Sequence, residues 1–285
     1  MARATHLGAF TALALAAATL SGCAPEAQLD PLERAIAVNQ SRHVADAFAD
    51  HPVVLDDPLG FESVQLFFPF SETLVLSDES VEAQMRAASI AVFANAPMMV
   101  YDPSRHAEYV NAIAQMHTVT VLTVGDVAIA PSSGAVRVRR DPGGLRALGE
   151  MTSVRFEEQA VGEPGDAAAE VASLEQREPT WLRAAWADPA TLPGAAAEPF
   201  PIQSRRDANM APQVVATRHS SVASVANARA YGAQVSLVPL ADPRKSETTL
   251  FAMAGLGDSP LVALGREFGT DEELAFRIRA AQRTY

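Results

Sequence analysis

The sequence predicts an α/β protein of two Rossmann-like units, each with a parallel sheet and helices on both faces. Three observations carry that expectation. Short apolar runs of strand length alternate with segments of helix length. The same order occurs near both ends of the chain. Two fixed points in these stretches, Asp102-Pro103 with Asp242-Pro243 and Gly125 with Gly265, are each offset by 140 residues. In the first stretch, 73–76 reads as a buried strand and 80–94 as a helix with Val81, Met85, Ala88 and Val92 at helical spacing. A strand at 98–101, a helix at 104–116 and a strand at 119–124 follow. In the second stretch, 214–217, 235–240 and 261–264 read as strands, with helices at 222–231 and 246–253 between them. Ala96 and Ala233, at the end of each first helix, are offset by only 137, so the repeat is degenerate. A period this long means two domains rather than a solenoid.

Ahead of these units, an apolar run at 7–20 follows a short start that includes Arg3 and His6, the layout of an export signal. It is too short to span a bilayer before polar sequence begins. Leu20-Ser21-Gly22-Cys23 resembles the lipobox of bacterial lipoproteins. The resemblance implies removal of 1–22 as a signal peptide, transfer of a lipid to the Cys23 thiol, and a mature chain held at the extracytoplasmic face of the cell membrane. Two acyl chains on one residue, palmitate among them, give stable anchoring where one would be marginal. An ordinary secretory leader with a chance cysteine is the alternative. Cys23 is the single cysteine, so neither a disulfide framework nor a thiolate metal site is available. The longest later apolar stretch, 87–101, is broken by Asn95 and Pro97.

Asp30 followed by Pro31 signals a helix start, a capping side chain and then a residue with its backbone preset. The helix is expected over 31–50, with Leu32, Ile36, Val44, Ala47 and Phe48 on its buried face and an interruption at Asn39 and Gln40. A β-rich run at 53–55 follows, and 61–70 is too apolar for a simple loop. Between the units, 135–139 alternates like an exposed strand and Asp141-Pro142-Gly143-Gly144 is a turn signal. From 156 to 200 there are nine acidic and two basic residues, rich in alanine, proline and glycine. Residues 167–174 have helical character that Trp181, Leu182 and Trp186 could dock. The domain reading is therefore a first unit with its N-terminal helix over 23–130, an acidic, partly ordered connector over 131–200, and a second unit over 201–285.

The stretch 78–125, with "AASIAVFANAP", "MMVYDP" and "VTVLTVG", resembles one repeat of the bacterial cell-wall-binding repeat 2 family. "VANARAYGAQV", "ADP" and "VALGREFG" resemble a second, more divergent copy. The resemblance implies a Rossmann-like fold that holds surface proteins noncovalently on anionic wall polymers, usually through three repeats. Two features depart from it. The family's Asp-Ala-Leu helix signature is Ala83-Gln84-Met85 here, and two repeats are legible. Ala87, Ala88, Ala91 and Ala96 let helix and sheet approach closely, as the fold requires.

Charge divides the chain. Residues 23–200 hold 11 basic and 26 acidic residues, net −15, whereas 201–285 hold 10 and 8, net +2. Ligands of an open parallel sheet sit beyond the carboxyl ends of its strands. In the second unit those ends are followed by Arg218, by Arg244 and Lys245, and by Arg266, which are the expected cradle for an anionic group; the alternative is that they are solvated loop charges. Asp102-Pro103 and Asp242-Pro243 read as helix caps rather than catalytic acids. Ser220 and Ser221 read as a helix start rather than as a nucleophile paired with His219, because adjacency in sequence does not give triad geometry. His43, His51, His106 and His117 lack metal-ligand spacing, and no elbow, zincin, P-loop or dinucleotide motif is present. A net charge of −12 opposes nucleic-acid binding. The expectation is a noncatalytic envelope protein without cofactor or metal, whose partners are an anionic cell-wall polymer or an envelope protein, and the membrane through its lipid. An extracytoplasmic small-ligand binder and a wall hydrolase are the alternatives.

Overall fold

The computed structural model describes residues 29–130, 134–204 and 210–285; the leader and Cys23 lie outside the described residues. The chain begins with α1 (Pro31–Gln40), β1 (Pro52–Leu55) and α2 (Phe61–Phe67). Then come β2 (Thr73–Ser77), α3 (Val81–Ala94), β3 (Met98–Val100), α4 (His106–Gln115), β4 (Thr120–Val124) and β5 (Arg137–Arg140). The middle holds α5 (Gly144–Thr152), β6 (Glu157–Val161), α6 (Ala167–Ser173) and β7 (Thr180–Ala184). The rest is β8 (Gln213–Ala216), α7 (Val222–Tyr231), β9 (Val235–Leu237), α8 (Glu247–Met253), β10 (Leu261–Leu264) and α9 (Asp271–Thr284).

The first sheet is parallel throughout in the order β3-β2-β4-β5, and the second is parallel in the order β9-β8-β10-β1. The units thus share one topology. Each first strand leads through a helix to the strand on one side, and the chain then crosses back to the other side. Right-handed crossovers in opposite directions put the two helices on opposite faces. The offset of 140 corresponds to real equivalence, since Thr73 and Gln213 both open the first strand of their sheet. The 137 offset arises because α3 has 14 residues and α7 has 10. Both helices end in a left-handed residue, Asn95 and Gly232, followed by an alanine whose amide bonds back into the helix.

Side chains of the second sheet alternate between two cores. Val214, Ala216, Val262 and Leu264 join the core they share with the first unit, whereas Val215, Leu261 and Ala263 pack with Val238, Met253, Phe268, Leu274 and Ile278. α7, with every residue from Val222 through Ala230 buried, covers one face; α8 and α9 cover the other.

Two assignments from sequence are corrected. The N-terminal helix and strand belong with the second unit, not the first. β1 pairs in register with β10, Val53 beside Val262 and Leu55 beside Leu264. It fills the place that β5 fills in the first sheet. Its apolar residues suit a position covered on both faces, and Asp271 Oδ1 accepts from Val54 N (2.7 Å) on the outer edge. α1 has the predicted cap: Asp30 accepts from Glu33 N (2.8 Å) and Glu33 accepts from Asp30 N (3.2 Å). It stops at Gln40, however. Asn39, which interrupts the apolar stripe, donates to Phe251 O and Ala254 O, both at 2.9 Å, and docks the helix on α8.

The second correction concerns the connector, which is ordered through most of its length. β5 extends the first sheet, and β6, α6 and β7 make a third βαβ unit whose strands are parallel. α3, α6 and α7, the first helices of the three units, touch one another, and β7 lies against α3. Alanines at Ala83, Ala87, Ala88, Ala91, Ala223, Ala226 and Ala230, all without solvent exposure, permit the close approach. Trp181 is buried in this junction, while Trp186 is exposed and donates to Glu82. α9 was not legible as a helix in the pattern of the second unit, although its capping box, Thr270 with Glu273, stands in the sequence.

Candidate functional site

A cleft of about 950 Å³ lies at the carboxyl ends of β1, β8 and β10. This is the point where the second sheet's strand order reverses, β8 leading away on one side and β10 standing on the other. Three loops build it. The loop after β1 brings Asp56, Asp57 and Pro58; the one between β8 and α7 brings His219 and Ser221; the one after β10 brings Gly265, Arg266 and Glu267. Gln84 of α3 reaches in from the first unit.

Local bonds fix this shape. Gly265 has φ +128°, and a Cβ there would collide with the Glu267 carboxylate, which also accepts the Thr217 hydroxyl proton. Asp57 is buried; its Oδ2 accepts from Ser63 N (2.8 Å) and Ser63 Oγ (2.7 Å). Ser63 in turn accepts from Asn227 Nδ2 (2.8 Å), and Asn227 also donates to Met98 O (2.9 Å) and accepts from Met98 N (2.7 Å). One amide therefore pairs both polar groups of Met98 at the outer side of β3, where the sheet would otherwise show an open edge. Glu62, beside this network, has its carboxyl raised above the ordinary range, first by burial and then by the charges of Asp57 and Asp56. The first unit closes the equivalent place with its own acid: Asp78 accepts from Ser80 N (2.9 Å), Ser80 Oγ (2.6 Å) and Asp126 N (2.7 Å), and Gly125 leaves room for that carboxylate.

The four basic residues expected to form one cradle are not brought together. Arg266 lines the cleft. Arg218, half exposed, pairs with Asp166 of the third unit at 3.1 Å. Arg244 makes a two-pronged pair with Asp242 (2.9 and 2.8 Å), and Lys245 lies 3.9 Å from the same carboxylate. Arg244 and Lys245 border a different, smaller pocket beside Tyr285. The Arg244 side chain, by its hydrogen bond, holds the Asp242 carboxyl down at about 2. Asp242 also accepts from Arg244 N (3.1 Å), as a cap would, but the residues it caps form a turn rather than a helix, and Ser246 caps α8. Asp102 does act as a cap, accepting from Ser104 N (2.8 Å) ahead of α4.

The serines are likewise occupied by backbone. Ser221 caps α7, accepting from Ser224 N (3.2 Å), and Ser220 Oγ donates to Leu264 O while accepting from Thr217 N (2.8 Å). Among the described residues, neither hydroxyl bonds the His219 ring. Also among them, no group of three or more His, Cys, Asp or Glu side chains stands in metal-binding arrangement, and no helix is long and apolar enough to cross a membrane.

Asp56, Asp57 and Gln84 escaped sequence reasoning because the cleft draws on residues far from the second unit in the chain. A signal for the loops was present. Asp-Pro occurs shortly after β1, β3, β5, β7 and β9, at Asp57-Pro58, Asp102-Pro103, Asp141-Pro142, Asp188-Pro189 and Asp242-Pro243. It marks the third unit and the displaced strand as well as the two recognised copies. Comparison with protein-family models, curated proteins and solved structures returns no match for this chain.

Proposed function

We propose that the protein is a lipid-anchored, noncatalytic module of the bacterial cell envelope that holds an anionic cell-wall polymer in the carboxyl-end cleft of its second sheet. The recurrence of one βαβ unit three times, with the first helices packed together, is the observation that supports this reading most. It matches the number of repeats that the resemblance to the wall-binding family implies. The cleft supplies suitable chemistry. Arg266 is exposed and offers five donors to a phosphate or carboxylate. Asp56 and Glu267 offer acceptors to sugar hydroxyls, so a glycopolymer bearing both groups is matched better than a bare anion. The serines and His219 are not arranged to act as nucleophile and base, which favours binding over hydrolysis.

The test is retention of the lipid-free chain 23–285 on isolated cell walls and on purified anionic wall polymer. Arg266→Ala should reduce retention about ten- to a hundredfold, in line with the ~1.5–3 kcal/mol of a charge-assisted hydrogen bond. Arg244→Ala should leave it unchanged, because that side chain is already paired. Equal loss in both variants, or no retention of the parent chain, contradicts the reading.

A further inference from the structure

The sheet of the third unit is shorter than the other two. Among the described residues, β6 pairs with β7 and with no other strand. In the first and second units the first strand is central: β2 has β3 on one side and β4 on the other, and β8 has β9 and β10. Both are buried along their whole length. β6 has only the equivalent of β3 and β9 beside it, and the place of β4 and β10 is open. Four of its five residues, Glu157 through Ala160, are exposed as a result.

The ladder shows which groups stand free. Glu157 N donates to Pro179 O (2.8 Å) and Ala185 N donates to Val161 O (2.9 Å), so Glu157, Gln159 and Val161 turn their main-chain groups toward β7. In a parallel pair the residues between them turn theirs the other way. The amides and carbonyls of Glu158 and Ala160 therefore face outward, and no bond engages them among the described residues. Such an edge is a template for another strand. Charge selects which one. Glu157 and Glu158 point to opposite faces, and Glu170 stands against Gln159 (2.5 Å) on the Glu157 face. Arg183 answers Glu158 at 3.4 Å but is shared with Asp188 at 3.0 Å. A second copy of β6 would bring like charges together, whereas a basic strand is matched.

We propose that the free edge of β6 receives an extended segment of another polypeptide, carrying two adjacent basic residues, as an added strand in the place that β4 and β10 occupy in their own units. Main-chain bonds to Glu158 and Ala160 hold the segment, and its basic pair meets Glu157 and Glu158 on the two faces. The edge shares no residue with the cleft, so this interaction stands or falls separately from wall-polymer binding.

NMR titration and amide exchange on the chain 23–285 test the edge with the peptide Thr-Lys-Arg-Val-Thr-Val, blocked at both ends. The expected result is saturable binding in the millimolar range or tighter, with exchange slowed more at the Glu158 and Ala160 amides than at those of Gln159 and Val161. A control peptide with Glu-Glu in place of Lys-Arg should bind about tenfold more weakly, as like charges across a strand pair oppose it. Ala160→Pro removes an outward amide and keeps every bond to β7, so it should abolish binding while the chain stays folded. Glu157→Lys, a change at an exposed side chain, should weaken binding about two- to tenfold and decides the matter alone if the proline variant does not fold. No binding of the basic peptide, equal binding of the acidic one, or binding unchanged in these variants overturns the proposal. So does self-association of the parent chain that Ala160→Pro abolishes, which would give the edge to a second copy.

Discussion

At the scale of single residues, the most consequential interaction is the buried pair of Arg86 and Asp141. Arg86 is without exposure inside α3, grips Asp141 by both Nε and Nη2 (the latter at 2.9 Å), and donates to Gly144 O at 3.1 Å. Its guanidinium carbon lies 5.0 Å from the Trp181 ring centre. One side chain thus ties the first unit's helix to the end of β5 and to β7. Removing the carboxylate leaves an uncompensated buried cation, so Asp141→Ala should cost about 3–5 kcal/mol in urea unfolding. Replacing both partners with apolar residues of similar volume should recover most of it. A loss below about 1 kcal/mol for the single change would show that the pair does not organise the junction.

Tyr109 offers a pH test at the same scale. Its hydroxyl donates to Val100 O and accepts from Asp102 N (3.0 Å), and burial pushes its pKa to about 12 from an ordinary 10. The folded state therefore holds this proton more tightly than the unfolded chain does. Its contribution to stability is complete below pH 10 and falls away as pH rises toward about 12. Urea midpoints measured across that window should decline less steeply in Tyr109→Phe than in the parent, and parallel declines would contradict the assignment.

At the scale of elements, β1 is the decisive piece. Leu55 is 7% exposed and lies beside Leu264 in the core shared by the units. Leu55→Ala should destabilise the protein by about 2–5 kcal/mol, as for other core leucines, whereas Val38→Ala on the exposed side of α1 should change stability by less than about 0.5 kcal/mol. A silent Leu55→Ala would mean that the strand is a mere lead-in to the first unit. Most strands and helices were legible in the sequence because their apolar periodicity and caps are local properties. Ser80, Ser221 and the Asp30–Glu33 pair announce their helices, and 261–264 is a strand of the expected length. Strand order is not local. Nothing in residues 52–55 says that their partner lies more than 200 residues away, so the strand was assigned to its neighbour in sequence. The third unit escaped for a different reason: four of the five residues of β6 are exposed, which hides the apolar signal of a strand.

At the scale of the whole molecule, three units meet through α3, α6 and α7, and the chain closes on itself because its first strand completes its last sheet. That closure builds the cleft, for Asp56 and Asp57 arrive on β1 while Arg266 and Glu267 arrive on β10. The candidate site was only partly legible. Its place, beyond the carboxyl ends of the second sheet, follows from the parallel topology, and Arg266 stands there. Arg218 is drawn away by Asp166, an acid that only the fold brings near it, and Arg244 and Lys245 are drawn away by Asp242, which stands two and three residues before them in the chain.

The central claim, that this cleft is where an envelope polymer is held, is tested most directly by hydrogen–deuterium exchange of the chain 23–285 with and without purified anionic wall polymer. The account predicts slowed exchange at 56–58, 219–222 and 265–267 together, with 243–247 unchanged. Protection confined to 243–247, or spread evenly over the surface, would contradict it.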